Sequence, residues 1–387
     1  MEQPVIPAYG RRSLAELTPS LLAALGMPNM PNSLDIDPVR RVCLLLIDGL
    51  GAGQLRGYAE DAPFLASLPA EEPLTAGFPA STPVSLASLG TGTPPGAHGI
   101  LGLSFEAEHG ELLDALKWTT HVDGKPVDQR EQLPPEQVQP LETALTVAAH
   151  AGIDVRVVSS RLFEGSGLTR AALRGGEYRG VHALGDLAAE LITALSGGAG
   201  PGFCYGYHAD LDVLGHVYGP GSLPWRLQLS AIDRVAALVA EALPADGLLA
   251  VTADHGMVTV PERERINADT DPVLRAGVRL LGGDARARHV YAEPGAVDDV
   301  LAAWTERLGE RAWVLPREEA IAAGWFGPVH TPQPRRRIGD VVVALRGDAA
   351  VIRTEAEKIP ATFIGHHGSL TAAEQEIPLL LLHGNGK

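Results

Sequence analysis

An acid and a histidine stand side by side at Asp254 and His255, two residues beyond the apolar run 247–251. Such a run predicts a buried strand, and the pair would then lie just past its carboxyl end, where open α/β sheets place their ligand sites. A carboxylate and an imidazole at that position can bind one metal ion together. A polar turn after a strand is the simpler interpretation of this segment when it is taken alone.

A second carboxylate follows another apolar run, since Asp48 comes directly after residues 42–47 and just before Gly49 and Gly51. Glycines let the backbone turn sharply and approach a ligand closely. We therefore predict that Asp48 also lies at the carboxyl end of a buried strand. A cap for the next helix explains this aspartate equally well when it is considered on its own.

Two hydroxyl side chains open a predicted helix at Ser81 and Thr82, with Pro83 at a first helical position. A hydroxyl at a helix N-terminus is usually a cap. It can also be a nucleophile, because the helix dipole and the free backbone amides favour an anion there.

A carboxylate and an imidazole are spaced for one face of a helix at Asp212 and His216, which follow the apolar run 202–207. Residues four apart lie one above the other on a helix, so this pair suits a second metal ion. The nearby His208 and Asp210 are better explained as parts of a solvated loop.

Adjacent histidines, His366 and His367, stand in a glycine-containing loop. Because a parallel sheet brings the carboxyl ends of its strands to one edge, we expect these distant segments to meet there. Oxygen and nitrogen ligands without a thiolate suit zinc, and manganese or iron less well. The set is too large for one tetrahedral ion and fits two, which can hold the attacking and leaving oxygens of a phosphoryl transfer. Its members are Asp48, Thr82, Asp212, His216, Asp254, His255 and His367.

The 387-residue chain has a formal net charge of −16 and 45% hydrophobic residues, as expected for an ordinary globular protein. An acidic protein is poorly suited to bind nucleic acid or an anionic membrane, so bound cations would have to attract a phosphate. Cys43 and Cys204 lie in apolar runs and predict buried thiols without a disulfide framework. We see no signal peptide and no apolar run of membrane-spanning length, and we expect a cytoplasmic protein.

Apolar runs alternate with amphipathic stretches, which predicts an α/β fold with a mostly parallel central sheet and helices on both faces. Residues 1–40 predict an N-terminal arm that packs on the outside. Residues 41–261 and 346–387 would form the metal-binding catalytic core. Residues 262–345 break the alternation and predict a smaller inserted cap lobe.

Two regions are candidates for selecting the substrate. Residues 103–140 are polar and predict an excursion from the core over the site. In the cap lobe, Arg335, Arg336 and Arg337 predict either a solvated face or a contact with an anionic substrate.

The motifs and their order along the chain resemble those of the alkaline phosphatase superfamily, and within it the nucleotide pyrophosphatase/phosphodiesterase (type I phosphodiesterase) family. Each motif is short, but together they extend from residue 42 to residue 368. The matching segments are Leu46-Ile47-Asp48-Gly49, Phe78-Pro79-Ala80-Ser81-Thr82, Thr91-Gly92, His98-Gly99-Ile100, Asp212-Val213-Leu214-Gly215-His216, Tyr218-Gly219-Pro220, Thr252-Ala253-Asp254-His255-Gly256-Met257 and His367-Gly368.

The resemblance implies an alkaline-phosphatase-like core and a two-metal hydrolase. It would cleave phosphodiester or nucleotide pyrophosphate bonds of a small, nucleotide-like substrate through a phosphothreonine intermediate on Thr82. Metal coordination would lower the pKa of this hydroxyl, which is otherwise a poor nucleophile. The resemblance assigns one zinc ion to Asp48, Thr82, Asp254 and His255, and the other to Asp212, His216 and His367.

One departure from the family concerns Leu103, which stands where many members have an asparagine that donates to a phosphoryl oxygen. A leucine side chain cannot donate, so either another group such as the Thr82 amide does so, or the substrate differs. Ser81 beside Thr82 and His366 beside His367 are alternative assignments, and the matching motifs favour Thr82 and His367.

Other functions remain open at this point. A phosphomonoesterase or phosphonate hydrolase of the same superfamily would use the same residues. A sulfatase would need Cys/Ser-X-Pro-X-Arg, whereas the segment from Thr82 to Leu86 contains no arginine. A binding protein with a decayed site is a third possibility, and the intact ligand set opposes it. The leaving group, the physiological metal and the oligomeric state do not follow from the sequence.

Overall fold

The computed structural model describes residues 2–107, 110–122, 125–198 and 200–384. Its strands are β1 (Arg41–Ile47), β2 (Leu74–Thr75), β3 (Ser104–Glu106), β4 (Leu112–Asp114), β5 (Thr119–Val122), β6 (Lys125–Asp128), β7 (Asp154–Ser160), β8 (Glu177–Val181), β9 (Gly202–His208), β10 (Gly247–Thr252), β11 (Val258–Thr259), β12 (Arg265–Asn267), β13 (Val278–Asp284), β14 (Ala287–Ala292), β15 (Ala312–Pro316), β16 (Val341–Leu345), β17 (Ala350–Ile352), β18 (Gly365–His366), β19 (Glu376–Ile377) and β20 (Leu380–His383).

The α-helices are α1 (Leu14–Ala24), α2 (Ala52–Gly57), α3 (Pro63–Ser67), α4 (Thr82–Thr91), α5 (Pro95–His98), α6 (Pro135–Val138), α7 (Ala144–His150), α8 (Gly167–Ala172), α9 (Leu184–Ser196), α10 (Asp210–Tyr218), α11 (Leu223–Glu241), α12 (Pro272–Arg275), α13 (Val297–Leu308), α14 (Arg317–Ala322), α15 (Pro332–Arg337) and α16 (Ala372–Gln375). None of these described helices is long and apolar enough to cross a membrane.

A sheet of six described strands forms the centre of the fold, in the order β20-β10-β1-β9-β7-β8. Its strands are parallel except β20, which runs antiparallel to β10. Residues of β1, β9 and β10 are buried almost throughout, because helices cover the sheet. A strand buried on both faces has apolar residues at successive positions, which is why these three segments are continuous apolar runs in the sequence. The predicted α/β class with a mostly parallel sheet and helices on both faces is confirmed.

The register of the sheet aligns the carboxyl ends of its three middle strands. Leu46 pairs with Thr252 of β10, and Ile47 pairs with His208 of β9. The residues that follow β1, β9 and β10 therefore emerge together at one edge, as the sequence pattern required. The thiols of Cys43 and Cys204 are free and buried at paired positions of β1 and β9.

The N-terminal segment packs differently from the arm that we expected on the outside. Helix α1 is buried along most of its length, with Leu14, Leu17 and Leu21 fully inaccessible. It contacts α4, and its first turn is held by a capping box between Ser13 and Glu16. A single amphipathic stretch does not reveal whether neighbouring elements cover its other faces, which is why the sequence pattern misled us.

Among the described residues, two four-stranded sheets lie outside the central one. Strands β3 to β6 form an antiparallel sheet within the predicted excursion 103–140. Strands β13, β14, β16 and β15 form a second antiparallel sheet within residues 278–345, with its own buried hydrophobic cluster that includes Trp304 of α13. That cluster also takes in Val351, beyond the predicted cap boundary, and the domain boundaries stay a prediction.

The arginines near residue 336 do not form the uniform solvated face that we considered. Arg337 is buried and donates to the carbonyl oxygens of Gly99 at 2.8 Å and Val138 at 2.9 Å. Arg335 is exposed and pairs with Glu318 at 2.7 Å. Arg337 therefore joins its segment to the C-terminal ends of α5 and α6, and its guanidinium is engaged with their backbone carbonyls.

A buried ion pair joins the β13–β14 hairpin to the core. The Arg286 guanidinium donates to both carboxylate oxygens of Glu374 at 2.7 and 2.8 Å, and both side chains are fully inaccessible. Glu374 also accepts from the Ser369 amide and the Thr371 hydroxyl, so it holds the loop after His367.

Replacing Glu374 with glutamine is expected to destabilise the fold by about 3 kcal/mol, because it leaves a buried guanidinium without its counter-charge. The check is the free energy of unfolding from urea denaturation. The exposed pair partner Glu318 provides a matched control, since Glu318→Gln should cost under about 1 kcal/mol. Equal effects of the two substitutions would contradict the structural role of the buried pair.

A buried neutral histidine, His289 of β14, makes the fold sensitive to acid. Its Nε2 lies 2.6 Å from the carbonyl oxygen of Leu101, and its Nδ1 accepts from the Gly339 amide at 3.1 Å. Burial lowers the pKa of this imidazole from 6.5 to about 4. The unfolded chain therefore binds a proton near pH 6.5 that the folded chain excludes until about pH 4.

Stability should accordingly be complete above pH 6.5 and fall as the pH is lowered, with this one group costing about 3 kcal/mol near pH 4. We expect His289→Gln to flatten the dependence of the unfolding free energy on pH in that window. The exposed His182 is the control, and His182→Gln should leave the dependence unchanged. Parallel pH profiles for wild type and His289→Gln would show that the buried imidazole is not responsible.

Candidate metal centre

The first cluster of the site lies at the carboxyl ends of β1 and β10. Asp48, Asp254 and His255 are buried there, and one ligand atom from each lies within 4.8 Å of the others. The His255 Nε2 is 3.4 Å from the Asp48 Oδ1 and 3.4 Å from the Asp254 Oδ2. The hydroxyl of Thr82, at the start of α4, lies 3.3 Å from the same nitrogen. The strand-end carboxylates and the helix-start hydroxyl thus converge as the sequence predicts.

A second cluster joins α10 to the loop that follows β18. Asp212 and His216 lie one turn apart on α10, with their Oδ2 and Nε2 atoms 3.3 Å from each other. The Nε2 of His367 is 3.9 Å from the other carboxylate oxygen of Asp212. Ligand atoms of these three residues also lie within 4.8 Å of one another.

The two clusters are direct neighbours. The rings of His255 and His367, one from each cluster, stack with centroids 3.6 Å apart and planes 13° apart. Two cations held by these clusters would therefore lie side by side, the arrangement that two-metal phosphoryl-transfer sites use.

Each of the three carboxylates has one engaged oxygen and one buried oxygen without a hydrogen-bond partner. The Asp254 Oδ1 accepts from the amides of Gly49 and His255, while its Oδ2 has no partner. The Oδ1 atoms of Asp48 and Asp212 are likewise buried and unpaired. Leaving buried carboxylate oxygens unpaired is costly, and a coordinated cation is the partner that would satisfy them. The residues therefore fit divalent metal ions.

Backbone carbonyls orient all three imidazoles. The Nδ1 atoms of His216 and His367 lie 2.8 Å from the carbonyl oxygens of Gly365 and Ala80, and the His255 Nδ1 is 3.1 Å from that of Gly256. A carbonyl accepts a hydrogen bond from a protonated Nδ1, which leaves the Nε2 lone pair facing the clusters. Such outer partners are typical of histidines that ligate metals.

Burial and the closeness of the three carboxylates affect the pKa values of the side chains in both clusters. Burial, together with the neighbouring carboxylates of Asp254 and Asp212, raises the pKa of Asp48 well above its usual range. Burial and the nearby His255 lower the pKa of His367 well below 6.5, which favours the neutral, ligating imidazole. Burial alone would raise the pKa of Asp212, but the adjacent imidazole of His216 lowers it. Cations bound here would replace protons on the carboxylates.

The adjacent hydroxyls of Ser81 and Thr82 have different partners. Ser81 is fully buried, and its hydroxyl donates to the Asp284 Oδ1 at 3.0 Å instead of capping α4. Thr82 is slightly exposed and faces His255. Of the two alternatives, Thr82 is therefore the hydroxyl that lies beside the first cluster.

Three further residues that the sequence offered as possible site residues, His366, His208 and Asp210, lie outside both clusters. The His366 Nε2 contacts the Phe363 carbonyl oxygen at 3.1 Å, and burial lowers the pKa of this imidazole to about 3. The expectation of a solvated loop is wrong for His208, which is buried in β9 against Gln228. Asp210 is exposed at the start of α10, as expected. These positions agree with the preference for His367 and with the lesser role expected for His208 and Asp210.

Sequence reasoning missed two residues that contact the site. The Tyr207 hydroxyl donates to the Asp48 Oδ2, yet in the sequence Tyr207 is one more member of an apolar run. Asp284 of β13 approaches Ser81 from the predicted cap lobe, and no local pattern marks it. For Tyr207, the position directly before the end of β9 was an available signal, because neighbouring strand ends meet at this edge.

Comparison with known proteins agrees with this arrangement. The family described as type I phosphodiesterase / nucleotide pyrophosphatase matches residues 42–370. A search of curated proteins finds no match.

Solved structures of murine and human ectonucleotide pyrophosphatase / phosphodiesterase 5 have similar folds. The murine protein is 17% identical with a TM-score of 0.67, covering 89% of both chains. The human protein is 18% identical with a TM-score of 0.65, covering 88% of this chain and 87% of that one. A third structure, of an inactive threonine-to-alanine variant of the murine protein in complex with AMP, is 16% identical with a TM-score of 0.66 and covers 89% and 90%. The chain therefore belongs to the type I phosphodiesterase / nucleotide pyrophosphatase family and is a hydrolase of that class.

Proposed function

We propose that this chain is a two-metal phosphodiesterase in which Thr82 is the nucleophile. Thr82 would share one ion with the first cluster, and the second cluster would hold the other. Zinc is the best match to these carboxylate and imidazole ligands. The observation that carries the proposal is the pair of adjacent buried clusters with unpaired carboxylate oxygens beside the Thr82 hydroxyl.

In the proposed reaction the Thr82 Oγ1 attacks the phosphorus of a diester. The Oγ1–P bond forms, the bond from phosphorus to the leaving oxygen breaks, and the proton lost by the hydroxyl balances the alcohol that departs. Water then cleaves the ester on Thr82 and regenerates the hydroxyl. Bound divalent cations would lower the pKa of the hydroxyl and offset the charge on the phosphoryl oxygens.

The start of α4 supplies further groups for a phosphoryl oxygen. Ser81 donates to Asp284, so no side chain caps the helix and its first amides remain open. A ten-residue helix with open N-terminal amides favours an anion at its start. The Thr82 amide can thereby take the place of the side-chain donor that Leu103 cannot provide.

We further propose that the substrate is a small nucleotide-like phosphate ester. The AMP complex of the structurally similar murine protein supports this choice, together with membership in a nucleotide pyrophosphatase family. The acidic composition of the chain opposes a polynucleotide as substrate.

The test compares hydrolysis of bis(p-nitrophenyl) phosphate and p-nitrophenyl phosphate by the zinc-loaded protein, with metal content measured on the same sample. Two zinc ions per chain and a higher kcat/KM for the diester are expected. A preference for the monoester would move the function to a phosphomonoesterase with the same site. No turnover of either substrate after adding zinc or manganese would refute the proposed reaction.

A further inference from the structure

Asp284 lies where three segments of the site meet, although it belongs to neither metal-binding cluster. Its Oδ1 accepts from the Ser81 hydroxyl at 3.0 Å, and its Oδ2 accepts from the Leu103 amide at 3.3 Å. Gly368 packs against it so closely that a Cβ added there would lie 3.0 Å from the Asp284 Cβ. The carboxylate thus borders the residue before Thr82 and the residue after His367.

The arginines nearest to Asp284 in sequence form their hydrogen-bonded ion pairs with other carboxylates. Arg286 pairs with Glu374, and Arg288 pairs with Glu357. Burial raises the pKa of Asp284 to about 6, against the opposing effects of its hydrogen bonds from Leu103 and Ser81 and of the nearby Arg288 and His255, so it is ionised at pH 8. Because Asp284 is only 4% exposed, water screens its field poorly.

Leu103 brings no side-chain donor to this side of the site. The side chain of Leu103 is apolar, and an ionised carboxylate can only accept hydrogen bonds. Leu103 therefore offers only its backbone here, and the Asp284 carboxylate holds a negative charge beside it.

We propose that Asp284 is a specificity-determining residue that favours monoanionic phosphodiesters over dianionic phosphomonoesters. The inference rests on the proposed function and adds the charge class of its substrate. A diester carries one negative charge, whereas a monoester carries nearly two above its second pKa of about 6. Both are attracted by the metal ions, but the additional charge of the monoester is repelled by the buried carboxylate.

The test measures kcat/KM for bis(p-nitrophenyl) phosphate and p-nitrophenyl phosphate at pH 8 with zinc-loaded wild type and Asp284→Asn. Asparagine keeps the shape of the side chain and removes the charge. The ratio of monoester to diester kcat/KM is expected to rise by at least about tenfold. Asp298 is an exposed aspartate on α13, and Asp298→Asn should leave the ratio unchanged.

A purely structural role of Asp284 predicts a different result. If it only positioned Ser81 and α4, then Asp284→Asn and Ser81→Ala would lower both activities by similar factors, with an unchanged ratio. Under the specificity role, Ser81→Ala keeps the wild-type ratio because the carboxylate remains. Asp284→Ser, which is small and neutral, provides the same comparison if the asparagine variant does not fold.

A ratio within twofold of wild type in both neutral variants would overturn the inference while leaving the diesterase function intact. Wild-type protein that cleaves neither substrate with its metals bound would instead refute the proposed function and the inference together. A wild-type preference for the diester that is lost in Asp284→Asn supports both.

Discussion

Replacing Thr82 with alanine is expected to lower kcat for a phosphodiester by at least about 10³-fold, because the variant lacks the proposed nucleophile. Two metal ions should remain bound, since Asp48, Asp254 and His255 still supply three ligands to the first of them. The measurements are steady-state kinetics on bis(p-nitrophenyl) phosphate and elemental analysis of the same preparation. Retained metal is essential to the interpretation, because loss of an ion would lower the rate for another reason.

Ser81→Ala is the matched control for this experiment, because it removes the adjacent hydroxyl from the same helix start. The structure places the Ser81 hydroxyl on Asp284, so the control should reduce kcat far less than Thr82→Ala. The opposite order, with Ser81→Ala inactive and Thr82→Ala active, would assign the nucleophile to Ser81 and contradict the proposed role of Thr82.

Replacing Asp212 with asparagine is expected to reduce the bound metal from about two ions to about one per chain. Asp212 is the only carboxylate of the second cluster among the described residues, and its unpaired oxygen is buried beside His367. Activity on the diester should fall more than about 100-fold, since even outer partners of metal ligands are worth 10–100-fold. Elemental analysis and diester kinetics measure both effects.

Asp210 offers a control on the same helix, because it is an exposed carboxylate two residues away. Asp210→Asn should keep both ions and most of the activity. If Asp212→Asn also bound two ions with unchanged affinity, the second cluster would not be a metal site.

Four residues of the candidate site could be predicted because regular secondary structure fixes their positions. Asp48 follows β1 directly and Asp254 comes one residue beyond β10, and a parallel sheet leaves little freedom in where such residues emerge. Asp212 and His216 were predictable because the period of a helix fixes which residues share a face. For all four residues, the position predicted from the neighbouring sequence agrees with the position in the folded chain.

Other features depend on contacts that no local pattern records. Asp284 lies 203 residues from its partner Ser81, and only the packing of β13 against the core brings them together. Burial of α1 depends likewise on α4, a helix from a distant part of the chain. The contact of Asp284 with the site was therefore not predictable from strand and helix periodicity.

A zinc titration of the metal-free protein tests the central claim most directly. Hydrolysis of bis(p-nitrophenyl) phosphate is followed as zinc is added in known ratio to the chain. The two adjacent clusters predict that activity is absent without metal and reaches its maximum at about two equivalents. Full activity in the metal-free protein, or a maximum at one equivalent with no further metal bound, would contradict the two-metal account.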